Sequence, residues 1–285
     1  MTEKDFLTEY KNTWCPGCGN FGIWVALRKA LAELNLAPEN VLIVYGIGCS
    51  GNGVNFTKTY AWHSLHGRAL PTGVGAKLAN GDLTVIVMAG DGDGLGEGMG
   101  HFIHSIRGNA DITYIIHDNK AYSLTTGQAA PTSDKGYKAK STPAGVIEEA
   151  ANPIALALAA GASFVARGFA GNADHLKEIF KASINHRGLA VVDVFQPCVT
   201  FNEINTFKWY FERLYNLDTD ASYNKNDLER AFKESLVWGA KIPYGIFFQK
   251  NRPTYSDELP QLAGRALVKR PMVVRNIDNL VKSFS

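Results

Sequence analysis

Five short runs of Val, Ile, Leu and aromatic residues, at 41–47, 83–89, 112–118, 163–167 and 189–195, read as strands. Between them the apolar positions recur at helical spacing. Ile23, Leu27, Leu31 and Leu34 share one face, as do Met99, Phe102, Ile103 and Ile106, and again Leu176, Ile179, Phe180 and Ser183. Strand alternating with helix is the pattern of a parallel sheet covered on both faces, so the expected class is α/β, a doubly wound and mostly parallel sheet. From Phe201 the alternation stops. Residues 208–217 read as an aromatic-rich helix, and 226–238 as a second one with Asn226 as N-cap, Glu229 three residues on and Gly239 as its stop. A strand at 244–249 precedes a tail punctuated by Pro253, Pro260 and Pro271. The expected division is a binding domain over 1–200 and a C-terminal extension over 201–285, packed on that domain or on a partner.

Charge narrows the function. Lys and Arg total 29 against 27 Asp and Glu, a net +2, and no basic run exceeds pairs such as Arg28-Lys29 and Lys269-Arg270. A nucleic-acid partner is not expected from such a balance. No apolar stretch approaches the roughly 20 residues that span a bilayer, and the first ten residues are charged and lack the apolar core of a secretory signal. No membrane association is expected, and the location expected is cytoplasmic. In that compartment the four cysteines are thiols, open to metal binding or chemistry.

In doubly wound sheets ligands bind at the carboxyl ends of the strands. Here the first expected strand runs into Gly46-Ile47-Gly48-Cys49-Ser50-Gly51, the second into Gly90-Asp91-Gly92-Asp93-Gly94, the third into Asp118-Asn119 and the fifth into Gln196-Pro197-Cys198. Glycines and reactive side chains thus collect at one rim. Asp91 at a glycine-flanked turn and Asn119 at the next strand end offer hard oxygen ligands to magnesium, which completes its shell with phosphate and water. A diphosphate-bearing cofactor follows, with a helix starting near Gly94 aimed at its phosphates. Alone, Gly-Asp-Gly is also compatible with a turn that merely ends a strand. Cys15-Pro16-Gly17-Cys18 lets two sulfurs face one metal, and Cys49 and Cys198 complete a possible set of four. The spacing by itself permits structural zinc, a redox dithiol or an iron–sulfur cluster.

The Asp91–Asn119 spacing resembles the magnesium and thiamine diphosphate signature of thiamine-dependent enzymes. The ordered set Trp14-Cys15-Pro16-Gly17-Cys18-Gly19, Gly46-Ile47-Gly48-Cys49-Ser50, His66-Gly67-Arg68-Ala69, Gly75-Ala76-Lys77-Leu78-Ala79-Asn80, Gly90-Asp91-Gly92-Asp93, Gly127-Gln128 and Pro197-Cys198 resembles the β subunits of 2-oxoacid:ferredoxin oxidoreductases, from about Lys11 to Tyr255. The resemblance implies a four-iron four-sulfur cluster on Cys15, Cys18, Cys49 and Cys198. It implies thiamine diphosphate contacts from Ile47, Gly48, Cys49, Ser50, His66, Gly92, Asp93, Ser123 and Leu124, with His66 the candidate catalytic residue. The magnesium ligands it implies are Asp91, Asn119 and the carbonyl of Ala121. His66 can also be read as a capping or core histidine. His63, His101, His104, His117, His175 and His186 are read as structural.

By the same resemblance the reaction is oxidative decarboxylation of a 2-oxoacid with coenzyme A, electrons passing through the cluster to ferredoxin. Thiamine enzymes take an activating glutamate from a second domain, for which this chain has no room. A separate α subunit is therefore expected, as an αβ heterodimer or a dimer of those. Three positions depart from the family pattern: Asp118 in place of an asparagine, Ser123 in place of a glycine, and Thr126 where relatives can carry a lysine or a glycine facing the substrate. A neutral Thr126 offers no cation to a distal carboxylate, which argues against 2-oxoglutarate. The competing readings are a non-oxidative thiamine-dependent decarboxylase or carboligase with incidental cysteines, and a zinc-stabilised nucleotide-binding module without catalysis.

Overall fold

The computed structural model describes residues 1–262, 266–271 and 277–284. Its strands are β1 (Val41–Tyr45), β2 (Tyr60–His63), β3 (Thr84–Gly90), β4 (Thr113–Asp118), β5 (Phe164–Phe169), β6 (Ala190–Phe195), β7 (Leu214–Asn216) and β8 (Ile242–Gln249). They form one sheet in the order β2-β1-β3-β4-β6-β5-β8-β7. The first six are mutually parallel, β8 runs antiparallel to β5, and β7 is parallel to β8.

Both faces of the sheet are covered, which is why its central strands are apolar without a break. Leu42, Val44, Val85, Val87, Tyr114 and Ile116 point into a core closed by α2 (Ala69–Ala79), α3 (Met99–Gly108) and α4 (Pro153–Ala159). Val41, Ile43, Ile86, Met88, Ile115 and Val192 point the other way. There Ile23, Leu27 and Leu31 of α1 (Asn20–Glu33) and Leu176, Ile179 and Phe180 of α5 (Ala173–Asn185) close the second layer. Each fully buried Leu, Ile or Phe contributes about 1.5–3 kcal/mol. The spacing-predicted helix faces coincide with those packed on the core, though Leu34 at the end of α1 and Met99 and Ile103 of α3 are only half-buried.

Several sequence expectations need correction. Eight strands are present among the described residues, where six were expected: β2 and β7 are the additions, and the strand expected at 244–249 is β8. All four residues of β2 are exposed, so no apolar run marks it; backbone pairing to β1 holds it at the sheet edge. The aromatic stretch 208–217 is helical only at its start, as α6 (Phe207–Phe211), because 214–216 pair with β8. The next helix, α7 (Leu228–Ser235), is capped by Asp227, which accepts from the Arg230 amide at 3.0 Å, and not by Asn226. Finally, no α-helix starts at Gly94. Gly92–Glu97 forms a π-helical turn, fixed by the Gly98 amide donating to Asp93 O at 3.0 Å, and α3 follows it. The glycine-rich run 90–98 has little side-chain bulk with which to hold α geometry, and π turns recur at functional sites.

From β1 the chain goes out to the edge as β2 and returns across β1 to enter β3. The loops leaving β1 and β3 thus open a crevice at the strands' carboxyl ends, the location at which doubly wound sheets bind ligands.

Candidate functional site

The crevice holds a cavity of about 100 Å³ whose walls include Ile47, Gly48, Cys49, Ser50, His66, Asp91, Gly92, Asp93, Asn119, Ala121, Ser123 and Leu124. Every residue expected to touch thiamine diphosphate or magnesium is therefore brought together. Thr125 stands on the wall as well, whereas the exposed Thr126 does not. Gly48 takes a left-handed φ of +98° with open space where a Cβ would be, so backbone approaches the cavity without obstruction. At Gly46 a Cβ would collide with Asp93 Oδ2, so a side chain there would displace that carboxylate.

Asp93 is buried and accepts from the Gly67 amide at 2.7 Å through Oδ1, which also faces His66 Nδ1 at 3.1 Å. This contact sets the orientation of the His66 ring, which is partly exposed. Burial raises the Asp93 carboxyl, opposed by the Gly67 amide. Asp93 Oδ2 and the Ser50 hydroxyl are buried without a hydrogen-bond partner. Unpaired polar atoms beside a cavity carry a desolvation cost that a polar ligand would relieve.

Asp91 is fully enclosed, and its Oδ2 accepts from the Thr132 hydroxyl. Burial, then the nearby charge of Asp118, pushes its carboxyl well above the usual carboxylate range. A dication would reverse that penalty, so the donor set fits one. Asn119 Oδ1 accepts from the Ala121 amide at 3.0 Å and the Ser123 hydroxyl at 3.1 Å. The turn is thereby held with its oxygens clustered. Asp118, also buried, accepts from the Lys120 amide at 3.3 Å. Lys120 itself has a left-handed φ of +60° and ties the turn to Thr132 O at 2.8 Å and Asp134 at 3.1 Å.

The four cysteines line a second cavity, of about 140 Å³, some tenfold the 10–15 Å³ that one water requires. Burial, and then the fields of Cys198, Cys49 and Cys15, push the Cys18 thiol up to about 12. Cys49 is pushed up to about 11 by burial, with Cys198 and Cys15 adding. Among the described residues no three His, Cys, Asp or Glu side chains converge as they would on a single metal ion. Four thiols around a space of that size suit a multi-iron cluster better than a zinc ion with Zn–S bonds of about 2.3 Å. Trp14, Phe21, Trp24 and Phe56 pack over Cys18 and Cys49, with Trp14 Nε1 donating to Cys49 O at 2.7 Å. The two cavities share Cys49, Asn119, Ser123 and Leu124 as common wall.

Sequence reasoning missed three supports. Tyr122 packs its ring against Gly92, where a Cβ would come within 2.5 Å, and donates to Gly92 O at 3.0 Å. Thr132 serves Asp91, and Gln196, on the wall of the cysteine cavity, bonds both Asn119 and Cys18. A lone aromatic, hydroxyl or amide has no spacing signal, although Tyr122 lies between Ala121 and Ser123 and Gln196 next to Pro197-Cys198.

Fold and site define a thiamine diphosphate-binding α/β protein. A family model described as thiamine pyrophosphate enzyme, C-terminal TPP binding domain, matches residues 45–194, and a model of the C-terminal part of the pyruvate ferredoxin oxidoreductase beta subunit matches 198–264. The 2-oxoacid:ferredoxin oxidoreductase subunit beta of Sulfolobus sp is 46% identical over 294 residues, covering 95% of this chain and 96% of that protein. Its counterpart in Saccharolobus solfataricus is 49% identical over 262 residues, covering 88% and 86%. The solved 2-oxoglutarate:ferredoxin oxidoreductase of Magnetococcus marinus, with 2-oxoglutarate, coenzyme A and succinyl-CoA bound, superposes with a TM-score of 0.91 at 35% identity over 100% of this chain and 96% of that one. The chain belongs to the β subunits of the 2-oxoacid:ferredoxin oxidoreductases. It is thus one subunit of an enzyme of oxidative decarboxylation, and the non-oxidative and non-catalytic alternatives fall away. Among the described residues no helix is long and apolar enough to cross a membrane.

Proposed function

We propose that this chain holds both the site of decarboxylation and the first electron acceptor. Magnesium is assigned to Asp91, Asn119 and the Ala121 carbonyl, and a four-iron four-sulfur cluster to Cys15, Cys18, Cys49 and Cys198. The observation that carries the reading is the common wall of the two cavities, through which a bound cofactor and a cluster would be neighbours. Bound thiamine diphosphate would supply the carbanion chemistry that releases carbon dioxide, and the cluster would take up electrons singly.

The chain's own groups have separable tasks. Asp91 supplies the anionic side-chain ligand, and Thr132 orients it. The Ser50 hydroxyl and the amides of the π-helical turn offer donors to a diphosphate. Asp93 holds the His66 ring at 3.1 Å, aiming the imidazole at the cavity as the candidate proton carrier. The aromatic cover over Cys18 and Cys49 would shield that side of a bound cluster from water, while Cys15 faces solvent.

Among the described residues no glutamate lines the cofactor cavity. Glu97 is exposed at the end of the π-helical turn, so the ring-activating carboxylate is assigned to an α subunit. A 2-oxoacid, ferredoxin and coenzyme A complete the reaction, in the cytoplasm. We also keep the division at residue 200: β7 and β8 extend the sheet from its far edge, and Tyr210 and Ile242 pack on Phe169 and Phe195. The test is anaerobic co-purification with the α subunit, iron and sulfide analysis of each chain, and viologen reduction across a panel of 2-oxoacids. Activity dependent on coenzyme A and on both chains supports the reading. Turnover by this chain alone, or a β chain free of iron, refutes it.

A further inference from the structure

Gln196 follows β6, is 1% exposed, and lines the cysteine cavity next to Asn119, which belongs to the wall the two cavities share. Its side-chain amide is engaged at both ends. Asn119 Nδ2 donates to its Oε1 at 2.9 Å, and its Nε2 donates to Cys18 Sγ at 3.4 Å and to Pro197 O at 3.2 Å. The direction of this relay is fixed by the backbone. The Ala121 N–H can only donate, so the Asn119 atom it meets must be the oxygen. Asn119 then presents its NH₂ to Gln196, which answers with its carbonyl and turns its own NH₂ to the sulfur.

The geometry points to Gln196 as a positioning residue that couples magnesium occupancy at Asn119 to the reduction potential of a cluster ligated by Cys18. The inference rests on the cluster and magnesium assignments proposed above. A cation on Asn119 Oδ1 draws electron density from that amide and strengthens its N–H as a donor. Gln196 is polarised in turn, and its N–H bonds the sulfur more strongly. Chains of hydrogen bonds reinforce one another by roughly 10–30% per bond. An N–H directed at a cluster sulfur favours the reduced, more negative state. Reduction adds one electron to the cluster; no covalent bond forms or breaks, and the proton stays on Gln196. By linkage, a reduced cluster holds magnesium more tightly by the same factor.

The test uses the anaerobic holoenzyme in a mediated redox titration followed by electron paramagnetic resonance, with magnesium thiamine diphosphate and after its removal. In the wild type, loading should raise the potential. Gln196→Met keeps the bulk and removes the donor. It should lower the reduced-to-oxidised ratio at fixed potential about tenfold, which is about 59 mV for one electron, and abolish the effect of loading. Unchanged potentials in a Gln196→Met enzyme with full iron content overturn the coupling while leaving the cluster assignment intact. A β chain without iron overturns both. Should the variant fail to assemble its cluster, the wild type decides: with glutamine side chains labelled in ¹⁵N, the reduced cluster should show a ¹⁵N hyperfine coupling, and its absence refutes the contact.

Discussion

Asp91→Asn should make the cofactor-free protein more stable and the loaded protein incapable of gaining from its ligands. In the wild type Asp91 is buried beside a second buried carboxyl, Asp118, and its carboxyl is raised well above the ordinary range by burial and by that neighbour. A raised folded-state value means that the unfolded chain ionises first. Stability is full below the unfolded value, declines as pH climbs from there to the folded value, and stays reduced above it. Each unit of elevation corresponds to about 1.4 kcal/mol, or about 2 °C in melting temperature for a chain of 285 residues. Asparagine keeps an acceptor for Thr132 and removes the charge. Thermal unfolding of the EDTA-stripped complex from pH 4 to 8 should show the variant's advantage growing with pH and then levelling. Adding magnesium thiamine diphosphate should reverse the ranking, since only the wild type can hold the cation. A stripped variant no more stable than wild type at pH 7, or one equally stabilised by the cofactor, would refute the account of Asp91.

Other perturbations read other parts of the site. Gly92→Ala places a Cβ 2.5 Å from the Tyr122 ring and should weaken magnesium thiamine diphosphate binding at least ~10-fold by calorimetry. Cys18→Ser should lower the iron content of anaerobically purified β chain from about four per chain and bleach its visible absorption. Because burial keeps Cys18 and Cys49 protonated when free, iron loading must release protons, so reconstitution should strengthen from pH 6 to pH 8 in stopped titrations. Thr126→Gly relieves a β-branched residue held at a φ of +79° and should stabilise the protein by about 1 kcal/mol in denaturant titrations.

What the sequence disclosed follows from what burial does to composition. β1, β3, β4, β5 and β6 are covered on both faces, so their apolar runs are long enough to read, and the loops after β1, β3, β4 and β6 carry Cys49, Asp91, Asn119 and Cys198 in recognisable order. β2 escaped because an exposed edge strand needs only backbone pairing. α2 escaped because Pro71, Gly73 and Gly75 lie inside it: proline is tolerated in a first turn, and Gly73 lets the helix close on Val87, whose side chain would collide with a Cβ there. The π-helical turn was misread as the start of a helix because a string of glycines records that side chains are absent, not which hydrogen-bond register results. The contacts that link the two motifs left the least trace. Asn119, Gln196 and Cys18 meet across 178 positions of chain between Gln196 and Cys18. Parallel pairing of β4 with β6 sets Asp118 beside Phe195, and so brings the residues after each strand together. A relay of that kind is a property of strand order, and strand order is not written as a local pattern. It becomes visible only once the sheet has fixed which loop ends are neighbours.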